Sequence, residues 1–278
     1  MRGSARDRPR WLWVVTTAVL LYVFVPVAVV AVFSFNAQKS LSVMRGLSLH
    51  WYAEVFRDDQ LVASILVSLR IALVTTVVAT VLGTALAIGL ARGQHRVAAL
   101  TEQVVLLRLM SPEITGGVAL LLLFTQLGIP LSTLTITLAH VTFSVAYVVV
   151  VVRTRLDHLP ASLEEAALDL GATEWAAVRL VVLPFVRPAV TASAMLVFVL
   201  SFDNFITSYF TSGAGTPPLP VRIYSMIRFG VSPAINAIGV LLTVVSVLIA
   251  LAAVLIYRRS VRTVPDPSAT AQNTGSPS

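Results

Sequence analysis

Six apolar stretches, each long enough to cross a bilayer as a helix, leave this chain few ways to fold. A hydrocarbon core about 30 Å thick needs roughly 20 consecutive apolar residues in helical form. Backbone groups in lipid must also bond within their own segment, which favours helices over loops. The runs lie at 11–35, 71–91, 104–127, 131–152, 188–210 and 235–257. The second, fourth and sixth hold no charged residue, whereas the third contains Arg108 and Glu113 and the fifth contains Asp203. Arg2, Arg6, Arg8 and Arg10 precede the first run in the manner of a secretory signal. Its apolar core of about 25 residues exceeds the 7–15 of such a signal, so it reads as a permanent span, relieved at Pro26. Composition agrees: of 278 residues, 57% are hydrophobic and 12% charged, against about 25% charged in soluble domains. The expected fold is all-α, a polytopic membrane protein of about six transmembrane helices.

The net charge of +7 would suggest nucleic-acid binding in a soluble protein. Here the arginines flank the apolar runs, where they set orientation, and no nucleic-acid partner is expected. With the N-terminus inside, the inner segments hold thirteen arginines: 2, 6, 8, 10, 92, 96, 153, 155, 179, 187, 258, 259 and 262. The outer segments hold five basic residues, Lys39, Arg45, Arg57, Arg222 and Arg228. Both termini are therefore expected in the cytoplasm. Three regions follow: a basic cytoplasmic tail at 1–10, a transmembrane domain at 11–260, and a Ser/Thr/Pro-rich tail at 261–278. That last tail has too few apolar residues to fold and is expected to be disordered.

Smaller features complete the outline. A tight turn at 128–130 joins the third and fourth spans. Trp51 and Tyr52 fit aromatic anchors at a headgroup boundary, and 220–229 fits a short interfacial helix. Ala79, Gly83, Ala87 and Ala91 recur every fourth residue, a spacing that lets helices approach closely in membranes; in an Ala-rich chain it also arises by chance. There is no cysteine, so neither a disulfide nor a thiolate metal site is possible.

The longest inner connection, 153–187, has the character of structure rather than of a linker. Pro160 precedes Ser162-Leu163-Glu164-Glu165, which has the form of a capping box. Leu163, Ala166, Ala167 and Leu170 then fall on one helical face, with Glu164 and Asp169 off it. Gly171 sits where a helix needs a left-handed terminating residue. Thr173 can cap a second short helix through Val178, and Pro184 marks the restart towards the next span. An acidic helix with a small alanine face suits docking into a groove on another protein. A helix lying on the membrane surface is the alternative, although such helices usually present bulky apolar and many basic residues.

Glu165-Ala166-Ala167, three residues, Gly171, nine residues, then Val181-Val182-Leu183-Pro184 resembles the cytoplasmic signature loop of binding-protein-dependent ABC importer permeases. The resemblance runs from about 33 to 257. Ser34-Phe35-Asn36, Trp51-Tyr52, Met110-Ser111-Pro112-Glu113, Ile223-Tyr224-Ser225-Met226-Ile227 and Gly230-Val231-Ser232-Pro233 narrow it to the spermidine/putrescine type. The resemblance implies a type I importer fold whose loop is a coupling helix gripped by an ATPase, with Glu164, Glu165, Ala166, Ala167, Asp169, Gly171, Leu183 and Pro184 as its residues. It further implies four kinds of partner: a second homologous permease, an ABC ATPase dimer, an extracytoplasmic solute-binding protein and a small cationic substrate, all at a bacterial inner membrane. Related permeases carry other solutes, such as ferric ion, phosphate, sulfate or organic amines. The rival from another class is a secondary transporter that needs no ATPase, which often shows paired broken helices in two repeated halves; no internal repeat is evident.

Catalysis by the chain itself is not expected. A P-loop needs a lysine after its second glycine, and the one lysine, Lys39, follows Gln38. ATP and Mg are thus expected on partner subunits, with no cofactor in this chain. His50, His95, His140 and His158 are too far apart for a His-x-x-x-His zinc pair, and no Gly-x-Ser-x-Gly elbow occurs. His140 reads as a packed, hydrogen-bonded residue. A charge at mid-membrane costs at least ~2.5–3.5 kcal/mol on insertion scales, so Glu113 and Asp203 should face the bundle interior or a watery path. Either acid could line a cation route. The alternatives are pairing with Arg70 or Arg108, or capping of unwound backbone. The resembled polyamine permeases carry an acid in the matching part of the fifth span, which favours a substrate-path role for Asp203.

Overall fold

A computed structural model describes residues 10–39, 43–93, 95–230 and 232–262. The basic segment 1–9, the tail 263–278 and Val231 lie outside these residues. Among the described residues twelve helices follow one another: α1 Arg10–Phe33, α2 His50–Arg57, α3 Asp59–Arg92, α4 His95–Met110, α5 Glu113–Gln126, α6 Thr133–Leu156, α7 Ala161–Asp169, α8 Glu174–Ala177, α9 Leu183–Phe202, α10 Ile206–Thr211, α11 Leu219–Phe229 and α12 Pro233–Arg262. A π turn, Val178–Val182, joins α8 to α9. Among the described residues β structure is limited to one bridge, Asn36 to Leu47. Of the described residues, five helices are long and apolar enough to cross a membrane, or six if α4 and α5 together make one span. This matches the six-span expectation.

The differences lie in where spans break. The third run reads from sequence as one span that Pro112 can kink, and the break there is larger than a kink: α4 and α5 meet at a bend of 107°. Pro112 carries no N–H and its ring clashes with the carbonyl four residues back; the last regular bond before it runs from Ser111 N to Leu107 O, 3.0 Å. The fifth span starts earlier than expected, at Glu174, and ends at Phe202, with α10 a separate short helix. The second reaches back to Asp59, and the first closes at Phe33. The turn at 128–130 forms, with Gly128 at φ +66°, and α11 occupies the place expected for the short helix at 220–229.

The chain divides into two compact units, 1–62 with 223–244, and 63–222 with 245–278. In the first, residues 11–30 of α1 are all exposed. Trp51 departs from the expected anchor role: it is 3% exposed and its Nε1 donates to Asn36 O at 2.6 Å. An indole N–H taken out of water needs such a partner. Tyr52 Oη and Ser34 Oγ are 2.7 Å apart, and Asn36 Nδ2 donates to Val43 O at 2.9 Å. The two motifs Ser34-Phe35-Asn36 and Trp51-Tyr52 are therefore one folded knot after α1.

In the second unit the core forms where α3, α6 and α9 bury Ala79, Ala87, Val148, Val152, Val186 and Val197. The four-residue stripe serves packing, as one of its two readings held: Ala79, Gly83 and Ala87 are buried, whereas Ala91 is exposed. A Cβ on Gly83 would stand 2.5 Å from Val148 Cβ, whereas one on Gly89 would meet nothing within 4 Å. Gly83→Ala must therefore push α3 off α6, costing about 1–3 kcal/mol. Gly89→Ala should hold or raise stability by up to about 1 kcal/mol, since alanine is the better helix former. Thermal unfolding in detergent compares the two; equal melting temperatures would contradict the close approach at Gly83.

Candidate functional site

Two places gather the residues singled out in the sequence. The first is the connection between α6 and α9. Helix α7 begins at Ala161 after Pro160, whose ψ of 125° keeps it outside the helix, and no side-chain cap forms. The expected capping box of Ser162 and Glu165 is thus absent, because the helix starts one residue before Ser162 and proline fixes the entry instead. Glu164 turns to Arg92 at the end of α3, at 2.5 Å. The stop is as the sequence suggested. Gly171 has φ +86°, Ala172 N donates to Ala167 O at 3.0 Å and Gly171 N to Leu168 O at 2.9 Å, a Schellman pair. Thr173 Oγ1 then accepts from Ala176 N at 3.2 Å, capping α8.

The second short helix does not stop at Val178. It widens into the π turn, with Leu183 N bonded to Val178 O, and continues as α9. A π turn that ends two residues before Pro184 gives the ring room beside the preceding carbonyls. None of α7 is buried: Leu163 is 49% exposed, Leu170 90% and Trp175 71%. Most of the alanine-and-leucine face is therefore left uncovered among the described residues. Glu164, Glu165, Ala166, Ala167, Asp169 and Gly171 lie together on α7 and its stop, whereas Leu183 and Pro184 belong to the first turn of α9. Arg155 fastens that turn to α6: its guanidinium lies 4.1 Å from the Phe185 ring centre, and its Nε donates to Phe185 O at 3.3 Å.

The second place is built where two helices break. Glu113 is the first residue of α5, directly after the bend, and Asp203 follows the last residue of α9. Three residues, 203–205, separate α9 from α10. Asn204 lies 9% exposed, and its Oδ1 accepts from Thr207 N at 2.9 Å, supplying a bond that the interrupted helix cannot. Its Nδ2 donates to Glu113 Oε1, which Thr207 Oγ1 also approaches at 3.4 Å. Glu113 is thus held by neutral donors; among the described residues neither Arg70 nor Arg108 forms an ion pair with it. Asp203 forms no side-chain hydrogen bond or ion pair among those residues. Glu113, Asp203 and Asn204 line one cavity of about 430 Å³ with Phe143, Tyr147 and Phe205. Two carboxylates beside aromatic rings favour a cation, through charge and through the negative ring faces.

His140 spans the same break. It is 1% exposed, with Nδ1 2.8 Å from Ser201 Oγ on α9 and Nε2 3.1 Å from Ser208 Oγ on α10. This is the packed, hydrogen-bonded histidine expected from sequence. Asn204 was missed, although an Asp-Asn pair inside an apolar run, with threonine three residues on, is the pattern of a helix restart. Phe143, Tyr147 and Phe205 carry no comparable sequence signal.

Residues 5–264 match the model of the family described as binding-protein-dependent transport system inner membrane component. The chain belongs to that family. It is 37% identical over 242 residues to the putrescine transport system permease protein PotI of Escherichia coli strain K12, covering 84% of this chain and 86% of that protein. Identity is 36% over 242 residues to the spermidine/putrescine transport system permease protein PotC of the same strain, covering 87% and 92%. The fold is also that of a chain in a bacterial ABC transporter involved in the import of the acidic polysaccharide alginate, with a TM-score of 0.71 at 14% identity, covering 91% of this chain and 96% of that one.

For this inner membrane component the break at 203–205 makes a specific demand on Asn204. Asn204→Ala removes the donor to Glu113 and the acceptor for Thr207 N–H, and should lower stability by about 1–2 kcal/mol. Asp203→Ala removes no internal bond and should leave the melting temperature unchanged. Calorimetry on both variants checks this; a larger loss for Asp203→Ala would overturn the assignment of the two neighbours.

Proposed function

We propose that this family member is the permease subunit of an ATP-driven importer and forms part of the translocation path for a small organic polycation of the putrescine and spermidine class. The observation that carries the substrate class is the cavity holding Glu113 and the unpaired Asp203 beside Phe143, Tyr147 and Phe205. A linear di- or triamine presents separated positive charges joined by methylene groups. Two carboxylates match the charges, and the rings match both the charges and the hydrocarbon between them. Phosphate and sulfate would be repelled by the same lining. The relatives named for putrescine and spermidine/putrescine support the choice.

In this reading the chain does no chemistry of its own. Two ATPase subunits bind ATP and Mg, a second permease completes the path, and a binding protein delivers the amine from outside. Both termini lie in the cytoplasm, as the arginine count indicates. The exposed face of α7 docks on the ATPase, and closure of the ATPase pair pulls on α7. The motion passes through the Schellman stop and α8 into α9, whose far end carries Asp203. The path thereby opens to one side and then to the other.

Asp203→Asn keeps shape and polarity but removes one charge from the cavity. Uptake of labelled putrescine or spermidine by the assembled complex should fall by about tenfold or more, while recovery of the complex on purification stays the same. Normal uptake by that variant would rule out the acid-lined route.

A further inference from the structure

A cavity of about 750 Å³ lies apart from the acid-lined one, between α3 and the α8–α9 segment. Arg92, Arg179 and Arg187 line it together with Trp175, and no acidic side chain does. Arg92 is engaged by Glu164; Arg179 and Arg187 form no ion pair among the described residues. Beyond them the walls are mostly apolar, with Val81, Ile88, Val178, Leu183 and Val190 interspersed with three threonines.

We propose that this groove holds one anionic glycerophospholipid, with its phosphate at Arg179 and Arg187 and an acyl chain along the apolar walls. Position and length both favour this occupant. Arg92 ends one membrane-spanning helix and Trp175 stands at the start of another, so the charged mouth lies at a membrane boundary. From Arg92 back to Thr80 the groove follows α3 for twelve residues, about 18 Å at 1.5 Å per residue. One leaflet of a 30 Å hydrocarbon core is about 15 Å deep. A ligand anionic at one end and apolar for the depth of a leaflet is a phospholipid. Arginine forks match phosphate oxygens, tryptophan favours the headgroup level, and basic pockets between spanning helices on one side of the membrane are known to take anionic headgroups. Ala85 and Gly89 keep the α3 wall low, and the space above Gly89 is open to 4 Å.

The test uses the full chain, purified in mild detergent and loaded with phosphatidylglycerol or phosphatidylcholine, with retained lipid counted by native mass spectrometry. The wild type should retain one phosphatidylglycerol and prefer it by at least about fivefold. Arg179→Gln with Arg187→Gln should abolish the preference. Gly89→Phe, which fills the groove while leaving every arginine in place, should reduce retention of the lipid. Equal retention by wild type and the variants overturns the proposal, as does equal affinity for the two lipids. Displacement by inorganic phosphate at the same concentration would show an anion site without a lipid. Loss of retained lipid when the ATPase or a second permease is co-purified would assign the groove to a protein partner. Unchanged melting temperatures of the variants exclude misfolding as the cause.

Discussion

One side-chain contact, Asn204 to Glu113, joins two helices that each break inside the membrane-spanning part of the chain. Interrupted helices are tolerated at membrane depth only where the freed backbone groups find partners in protein or water. Asn204 meets that requirement for α10 through Thr207 N–H, and by donating to Glu113 it ties the start of α5 to the same point. His140 adds a second tie across the gap, with one serine on each side. The acid-lined cavity exists because these bonds hold α9 and α10 apart by three residues. A continuous helix through 203–205 would leave no such gap for Asp203 to border.

Local physics was readable from the sequence, and long-range contacts were not. The number of spans follows from hydropathy, and the stop of α7 follows from Gly171, whose left-handed backbone few other residues adopt. The cap at Thr173 also needed nothing beyond its neighbours. The capping box at Ser162 and Glu165 failed over a shift of one residue, because Pro160 sets where α7 begins. Pro112 marks the break in the third span, but the size of the turn, 107°, is not written in it, because apolar content is unchanged across Ser111 and Pro112. Trp51 was misplaced for a different reason: its partner, the carbonyl of Asn36, lies fifteen residues away and is brought near by the fold. Glu113 and Asp203 stood out because charge in an apolar run is costly. That they would face one cavity depends on both helix breaks.

The exposed loop and the cavity sit at opposite ends of one element. Helix α7 ends in a fixed left-handed turn, α8 is capped at Thr173, and the π turn carries the chain into α9 without interruption. Arg155 clasps the base of α9 at Phe185, and the far end of α9 is Phe202, beside Asp203. Along this element the regular α-helical bonding changes at two places, the π turn and the gap at 203–205.

The absence of cysteine from the chain makes a direct measurement of transmission along that element possible. Ile206 lines the cavity just beyond the gap, and Ile206→Cys places a single thiol there. In the complex assembled with a cysteine-free ATPase, second permease and binding protein, the rate of labelling by a charged thiol reagent is compared without nucleotide and with ATP trapped. If motion at α7 reaches the cavity, the two rates should differ by about tenfold or more. Equal rates in the two states would contradict the coupling.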